Sequence, residues 1–134
     1  MRLIPGKRPS DLGVKNGRLK PAPRSPNAVS SQADDVAHKI APLTYQTTRE
    51  QAMDALVTII EATPRTHLVT RSPDYLDAEY ESALLGFVDD VEFYFEPGSK
   101  LVQVRSASRV GYSDFGVNRA RIEDIRRKLL VSGA

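Results

Sequence analysis

The chain has 134 residues, no cysteine and a net charge of +2. That length is one of a single ordinary domain and excludes a large multidomain enzyme, while the missing cysteine excludes a disulfide scaffold, a thiol nucleophile and Cys-ligated zinc or iron–sulfur sites. With 40% apolar and 27% charged residues the chain can close a core, yet nine prolines and eight glycines leave a good part of it irregular.

The charge is unevenly placed. Residues 1–30 hold Arg2, Lys7, Arg8, Lys15, Arg18, Lys20 and Arg24 against the single acid Asp11, so an arm of +6 precedes a body of −4. Such an arm can attract nucleic acid or anionic lipid, or lie along its own acidic body, and the second reading is favoured. No stretch approaches the ~20 apolar residues of a membrane span, and the first residues lack the apolar run of a secretory signal, so a cytoplasmic location is expected.

From Pro5 to Pro42 neither helical nor strand periodicity is present, and Lys20-Pro-Ala-Pro-Arg-Ser-Pro-Asn27 reads as extended chain. Residues 1–42 are therefore expected to form a basic Pro/Gly-rich arm, and residues 43–134 the folded domain. A first helix is predicted from Thr47, where Thr47-Thr48-Arg49-Glu50 has capping-box spacing. Ala52, Leu56, Ile59 and Ile60 share one face of it, and Pro64 limits it. Thr66 to Arg71 reads as a strand closed by Ser72-Pro73-Asp74. Tyr75 to Ser82 alternates, with Leu76, Ala78 and Tyr80 opposite Asp77, Glu79 and Glu81. Phe87 to Glu96 alternates again, and Pro97-Gly98-Ser99-Lys100 turns the chain into Leu101 to Arg109.

With Gly98-Ser99 at the tip of that hairpin, Phe95 faces Val102, Phe93 faces Val104 and Asp89 faces Ser108. On the outer, wet face Glu92 meets Arg105, and Asp90 lies within reach of Arg105 and Arg109. After Gly111-Tyr-Ser-Asp-Phe-Gly116 a second helix runs from about Asn118 to Val131, with Ile122, Ile125 and Leu129 as its apolar stripe. The expected architecture is an α+β two-layer sandwich: a four-stranded antiparallel meander covered on one face by two helices, in the order α-β-β-β-β-α.

The stretches Arg8-Pro-Ser-Asp-Leu-Gly13, Ser25-Pro-Asn-Ala-Val-Ser-Ser31, Gly86-Phe-Val-Asp-Asp-Val-Glu-Phe93 and Arg105-Ser-Ala-Ser-Arg-Val-Gly-Tyr-Ser-Asp-Phe-Gly-Val-Asn-Arg-Ala-Arg-Ile122 resemble the bacterial and plastid domain of unknown function 1499 (DUF1499) family over nearly the whole chain. His38, ahead of Ile40 and Pro42, matches a His-x-Ile-x-Pro pattern of that family. Its members commonly show Cys-Pro-x-Ser-Pro-Asn-Cys where this chain has Ala22 and Ala28. Any disulfide, metal or redox role of that pair is thus absent here, by natural loss or by engineered replacement. The resemblance implies no activity, since the family is named for lacking an assigned one.

The segment Arg105 to Arg121 is the richest in polar side chains: Arg105, Ser106, Ser108, Arg109, Tyr112, Ser113, Asp114, Asn118, Arg119 and Arg121. Beside a helix N-terminus these arginines could hold an anion bidentately. The competing structural reading pairs Arg105 and Arg109 with Glu92 and Asp90, caps the second helix with Asp114 or Asn118, and fastens the arm with Arg119 and Arg121. Asp89 and Asp90 fall on opposite faces of a regular strand, so they do not form one acid/base pair there. Asp89 then points coreward and requires a strand end, a bulge or a polar partner. Two histidines without ligand spacing give no metal site, and no cofactor motif is present. The acidic strands argue against a nucleic-acid stacking platform.

The leading functional expectation is a non-enzymatic module that binds an anionic or polar small molecule or a partner protein, with the arm across the sheet. Its candidate ligand residues are Arg105, Ser108, Arg109, Asp114, Asn118, Arg119 and Arg121, supported by Asp89, Asp90, Glu92 and His38. The alternatives are an enzyme using Asp89 or Asp90 beside the arginines, and an assembly factor docking through the arm. The sequence leaves the oligomeric state open.

Overall fold

The computed structural model describes residues 6–84, 86–111 and 113–134; Arg2 of the basic arm and Tyr112 of the polar segment lie outside the described residues. The elements are β1 (Ala28–Ser30), β2 (Leu43–Thr44), α1 (Arg49–Ala62), β3 (Thr66–Ser72), β4 (Tyr75–Glu81), β5 (Val88–Phe95), β6 (Leu101–Ser108) and α2 (Val117–Ser132). The sheet runs in the order β1-β6-β5-β4-β3 and is antiparallel throughout, with β2 also paired to β6. The protein is α+β with two helices, but its sheet has six strands where four were expected. The additional pair, β1 and β2, are three and two residues long, too short for a period of two to register in sequence.

The β5–β6 register places Phe95 opposite Val102, Phe93 opposite Val104, Glu92 opposite Arg105 and Asp89 opposite Ser108. Gly98, at φ +72°, supplies the left-handed residue in the connecting turn. At the sheet edge β3 carries a bulge between Leu68 and Thr70, which disturbs an edge otherwise open to pairing with another chain.

α1 begins one residue later than the sequence indicates. Thr48 is the N-cap: its Oγ1 accepts from Gln51 N at 3.1 Å, and Gln51 Oε1 accepts from Thr48 N at 3.4 Å. Thr47 is held elsewhere, its N–H donating to the Ala134 carbonyl at 3.2 Å. α1 and α2 pack together on the sheet face bearing Leu76, Val91, Phe93 and Val104, and Leu56, Ile60, Ile122, Ile125 and Leu129 complete the core. Each such large side chain taken fully from water stabilises the fold by about 1.5–3 kcal/mol.

The opposite face is not wet. Asp77, Asp90, Glu92 and Arg105 are all buried there. The chain before β2 covers them: Gly13 N donates to Glu92 Oε2 at 2.8 Å, and Arg8 pairs with Asp77. Gly6 packs so closely that a Cβ on it would stand 2.8 Å from the Cβ of Arg109. A two-residue hairpin turn, Lys15-Asn16-Gly17-Arg18, folds this cover back on itself, with Lys15 N to Arg18 O at 2.9 Å and Arg18 N to Lys15 O at 3.1 Å. Asn16 and Gly17 both have positive φ, the conformation for which Asn-Gly is the strongest short signal.

Candidate functional site

The sequence-predicted residues separate into three places. The first is the covered sheet face. Alternation along β4, β5 and β6 sends Tyr75, Asp77, Glu79, Asp90, Glu92, Arg105 and Arg109 to the same side. The Arg109 guanidinium donates from Nε to Asp90 Oδ2 and from Nη2 to Asp90 Oδ1, both at 2.8 Å, and from Nη2 to Glu79 Oε2 at 2.5 Å. These bonds, Asp90 foremost, hold Arg109 above its ordinary pKa. Arg8 closes the group from the arm, pairing with Asp77 and approaching Glu79 and Asp90 at 3.5 Å.

Glu92 is wholly buried, at 0% exposure, and is met by the Tyr75 hydroxyl at 2.5 Å and by Arg105 Nη1 at 3.8 Å. Burial pushes its carboxyl above the usual range, against the bonds from Tyr75 and Gly13 and the attraction of Arg105. Burial likewise raises Asp77 and lowers Arg105. On this face Asp77 Oδ1, Glu92 Oε1 and Arg105 Nε are buried without a hydrogen bond. The layer therefore sets four carboxylates, Asp77, Glu79, Asp90 and Glu92, against the guanidinium groups of Arg8, Arg105 and Arg109.

The second place is the arm. Arg119 donates to the carbonyls of Lys39 at 2.9 Å and Ala37 at 3.2 Å, tying α2 to the chain on either side of His38. His38 is buried, with Nδ1 2.6 Å from Asp35 Oδ2 and Nε2 2.8 Å from Ser25 O. Both ring nitrogens face acceptors, and the Ser25 carbonyl, followed by Asp35, raises its pKa above the ordinary value.

The third place is where the ends of β5 and β6 meet the start of α2. Asp89, second residue of β5, pairs with Arg121 Nη2 at 2.8 Å. Arg121 Nη1 donates to Asn118 Oδ1 at 2.8 Å and to Ser106 Oγ at 3.2 Å, and its guanidinium lies 4.8 Å from the Tyr80 ring centroid. Asn118 is wholly buried; its Nδ2 donates to Asn27 O, Ser108 Oγ and Asp114 Oδ2 at 3.1, 3.0 and 2.7 Å, and its Oδ1 accepts from Ser106 Oγ at 2.6 Å. Asp114 also accepts from the backbone N–H of Gly116 at 2.9 Å and of Asn118 at 3.1 Å. Burial pushes the Asp114 carboxyl up, but the bonds from Asn118 and Gly116 prevail and hold it below its usual value.

A cavity of about 330 Å³ opens here. Asp89, Asp114 and Arg121 supply its charged lining, Ser82, Ser108 and Ser113 its hydroxyls, and Phe87, Val110, Phe115 and Val117 its apolar lining. Phe115 stands 94% exposed with φ +54°, a left-handed conformation that costs a non-glycine residue of order 1 kcal/mol. The bonds from Phe115 N to Ser113 Oγ and from Gly116 N to Asp114 Oδ1 brace that loop. A second cavity, about 340 Å³, lies within the arm beside Leu19, Ala22 and Asp35, and gathers none of the Arg105–Arg121 segment.

The model of the family described as Protein of unknown function (DUF1499) matches residues 18–129. The chain belongs to the DUF1499 family. A search of the curated proteins finds no match to it. The DUF1499 match takes in the six strands, α1, α2 as far as Leu129, the cavity residues and His38, and begins after Arg8 and Gly13. Of the two alanines singled out in the sequence, Ala28 is buried on β1 opposite Ala107, and Ala22 borders the arm cavity. Among the described residues no helix is long and apolar enough to cross a membrane.

Sequence reading missed Phe87, Phe115 and Val117 as cavity residues, because Phe87 and Phe115 lie outside the regular elements and Val117 is the first residue of α2, places where periodicity does not report what a side chain lines. It also missed Asp77 and Glu79 as partners of Arg8 and Arg109. The available signal was the β4–β5 register, which sets Glu79 opposite Asp90 and Asp77 opposite Glu92.

Proposed function

We propose that this DUF1499 chain is a non-enzymatic binding module that holds a polar small molecule in the cavity between the β5–β6 ends and α2. The observation that carries the reading is the Asp89–Arg121 pair, 2.8 Å apart on the lining of a 330 Å³ cavity bordered by the exposed Phe115. A concave, largely apolar space with a few convergent polar groups is the usual form of a small-molecule site. Ser108 and Asp114 join that pair in the lining; Asn118, from behind, orients both.

Two other readings have less support. An enzyme using Asp89 or Asp90 as general base needs a carboxylate free to take a proton, whereas Asp90 lies under the arm bonded to Arg109 and Asp89 is paired with Arg121. Docking through the basic arm competes with bonds the arm already makes, because Arg8 is committed to Asp77 of the body, and Lys20 and Arg18 to Asp11 and the Gln32 carbonyl within the arm itself. Arg105 and Arg109 contribute on this view as the structural layer that fastens the arm.

Native mass spectrometry of the freshly purified chain, set against its denatured mass, tests the proposal. A stoichiometric added mass that is diminished in Phe115→Ser supports the cavity as its place. A bare chain in both proteins counts against a tightly held ligand.

A further inference from the structure

Resting on that reading of the cavity, we infer that it selects a small cationic amphiphile, a primary ammonium carried on an apolar ring or short chain, in preference to an anion. The charge of the lining decides the sign: Asp89 and Asp114 stand against Arg121 alone.

The lining's one cation and the N–H groups of Gly116 and Asn118 are already engaged. The start of α2 offers N–H groups and the positive end of its dipole, but Asp114, a residue of the chain itself, takes the N–H of Gly116 and of Asn118. Arg121 is held by Asp89, Asn118 and Ser106 and lies on the Tyr80 ring. An incoming carboxylate or phosphate would have to displace Asp89 from Arg121 and stand beside Asp114 without a free cation.

An ammonium can instead join the Asp89–Arg121 pair without displacing either partner. It can donate to the carboxylate of Asp89, whose Oδ2 is the oxygen met by Arg121, and charge-assisted bonds of this kind are about twice as strong as neutral ones. Ser108 Oγ, which accepts from Asn118 Nδ2 at 3.0 Å, offers a further lone pair. Phe87, Val110, Phe115 and Val117 border the space for the apolar part of such a ligand, and an aromatic face favours a nearby cation. A volume of about 330 Å³ is small for a ligand site and suits one ring with a short chain.

The test is an amide chemical-shift titration of the full chain with three size-matched probes: 2-phenylethylammonium, 2-phenylethanol and 3-phenylpropanoate. The expected result is saturable shifts in residues 108–121 with the ammonium, at an affinity at least fivefold above the carboxylate and falling as salt is raised. Asp89→Asn should reduce ammonium binding at least fivefold and leave the alcohol unaffected. Phe115→Ser, at an exposed position, should weaken all of the probes without unfolding the chain. Tighter binding of the carboxylate in the same residues overturns the charge preference and leaves the cavity reading standing. Shifts with none of the probes overturn both. Should Asp89→Asn fail to fold, the ammonium-to-carboxylate ratio in the unaltered chain still decides.

Discussion

The Arg109 guanidinium grips the Asp90 carboxylate through two bonds of 2.8 Å, and its Nη2 reaches Glu79 as well, beneath a cover supplied by the arm. A buried pair gains little over an apolar replacement of both partners, but removing one partner leaves an uncompensated charge.

Arg109→Ala should therefore lower stability by about 3 kcal/mol, read from denaturant unfolding. The double variant with Asp90→Ala should cost clearly less than the two single changes added together. Arg109→Lys should recover only part of the loss, since an ammonium cannot reproduce the two-pronged bond. Additive single and double effects would show that the pair is not coupled.

Asn118→Ala should destabilise the chain by about 2–4 kcal/mol, because it leaves the Asn27 carbonyl, Ser106, Asp114 and Arg121 without their shared partner. Unfolding midpoints of wild type and variant measure this. A loss well below 1 kcal/mol would mean that the network re-forms around a shorter side chain.

His38 makes stability depend on pH. Its folded pKa lies above the ordinary value because Ser25 O and Asp35 favour the imidazolium, while Arg119 opposes it. The stabilisation is complete below the unfolded value of about 6.5 and is lost as pH rises through the folded value. The unfolding midpoint should fall across that window, and the fall should be absent in His38→Gln. Asp35→Asn should move the imidazole titration, followed by NMR, to lower pH. A titration unmoved by that change would remove Asp35 from the account.

Glu92 has the opposite sign. Burial raises its folded pKa, so ionisation opposes folding: the penalty is absent below the ordinary carboxylate value, about 4.3, grows as pH rises through it, and is constant above the folded value. Glu92→Gln should therefore gain stability relative to wild type as pH rises from 4 to 7, whatever the loss of its pairing with Arg105 costs at both. A relative stability that falls over that range would show that attraction to Arg105 outweighs desolvation.

What the sequence determined by itself was local. Alternation in β4, β5 and β6 and the apolar stripes of both helices depend on residues two to four apart, and the turn at Gly98 carried that pattern across the hairpin, so that Glu92 opposite Arg105 and Asp89 opposite Ser108 were legible from numbering alone. What only the tertiary structure decided was distant. Arg8 meets Asp77 across 69 positions and Gly13 meets Glu92 across 79, and no period reports such contacts. They turn a face that reads as solvated into a buried ionic layer and draw Arg105 and Arg109 into it, while α2 carries Arg121 to Asp89 and leaves the cavity between them. Side-chain direction follows from backbone geometry and can be read along the chain; burial depends on what lies on top, which folding alone assigns.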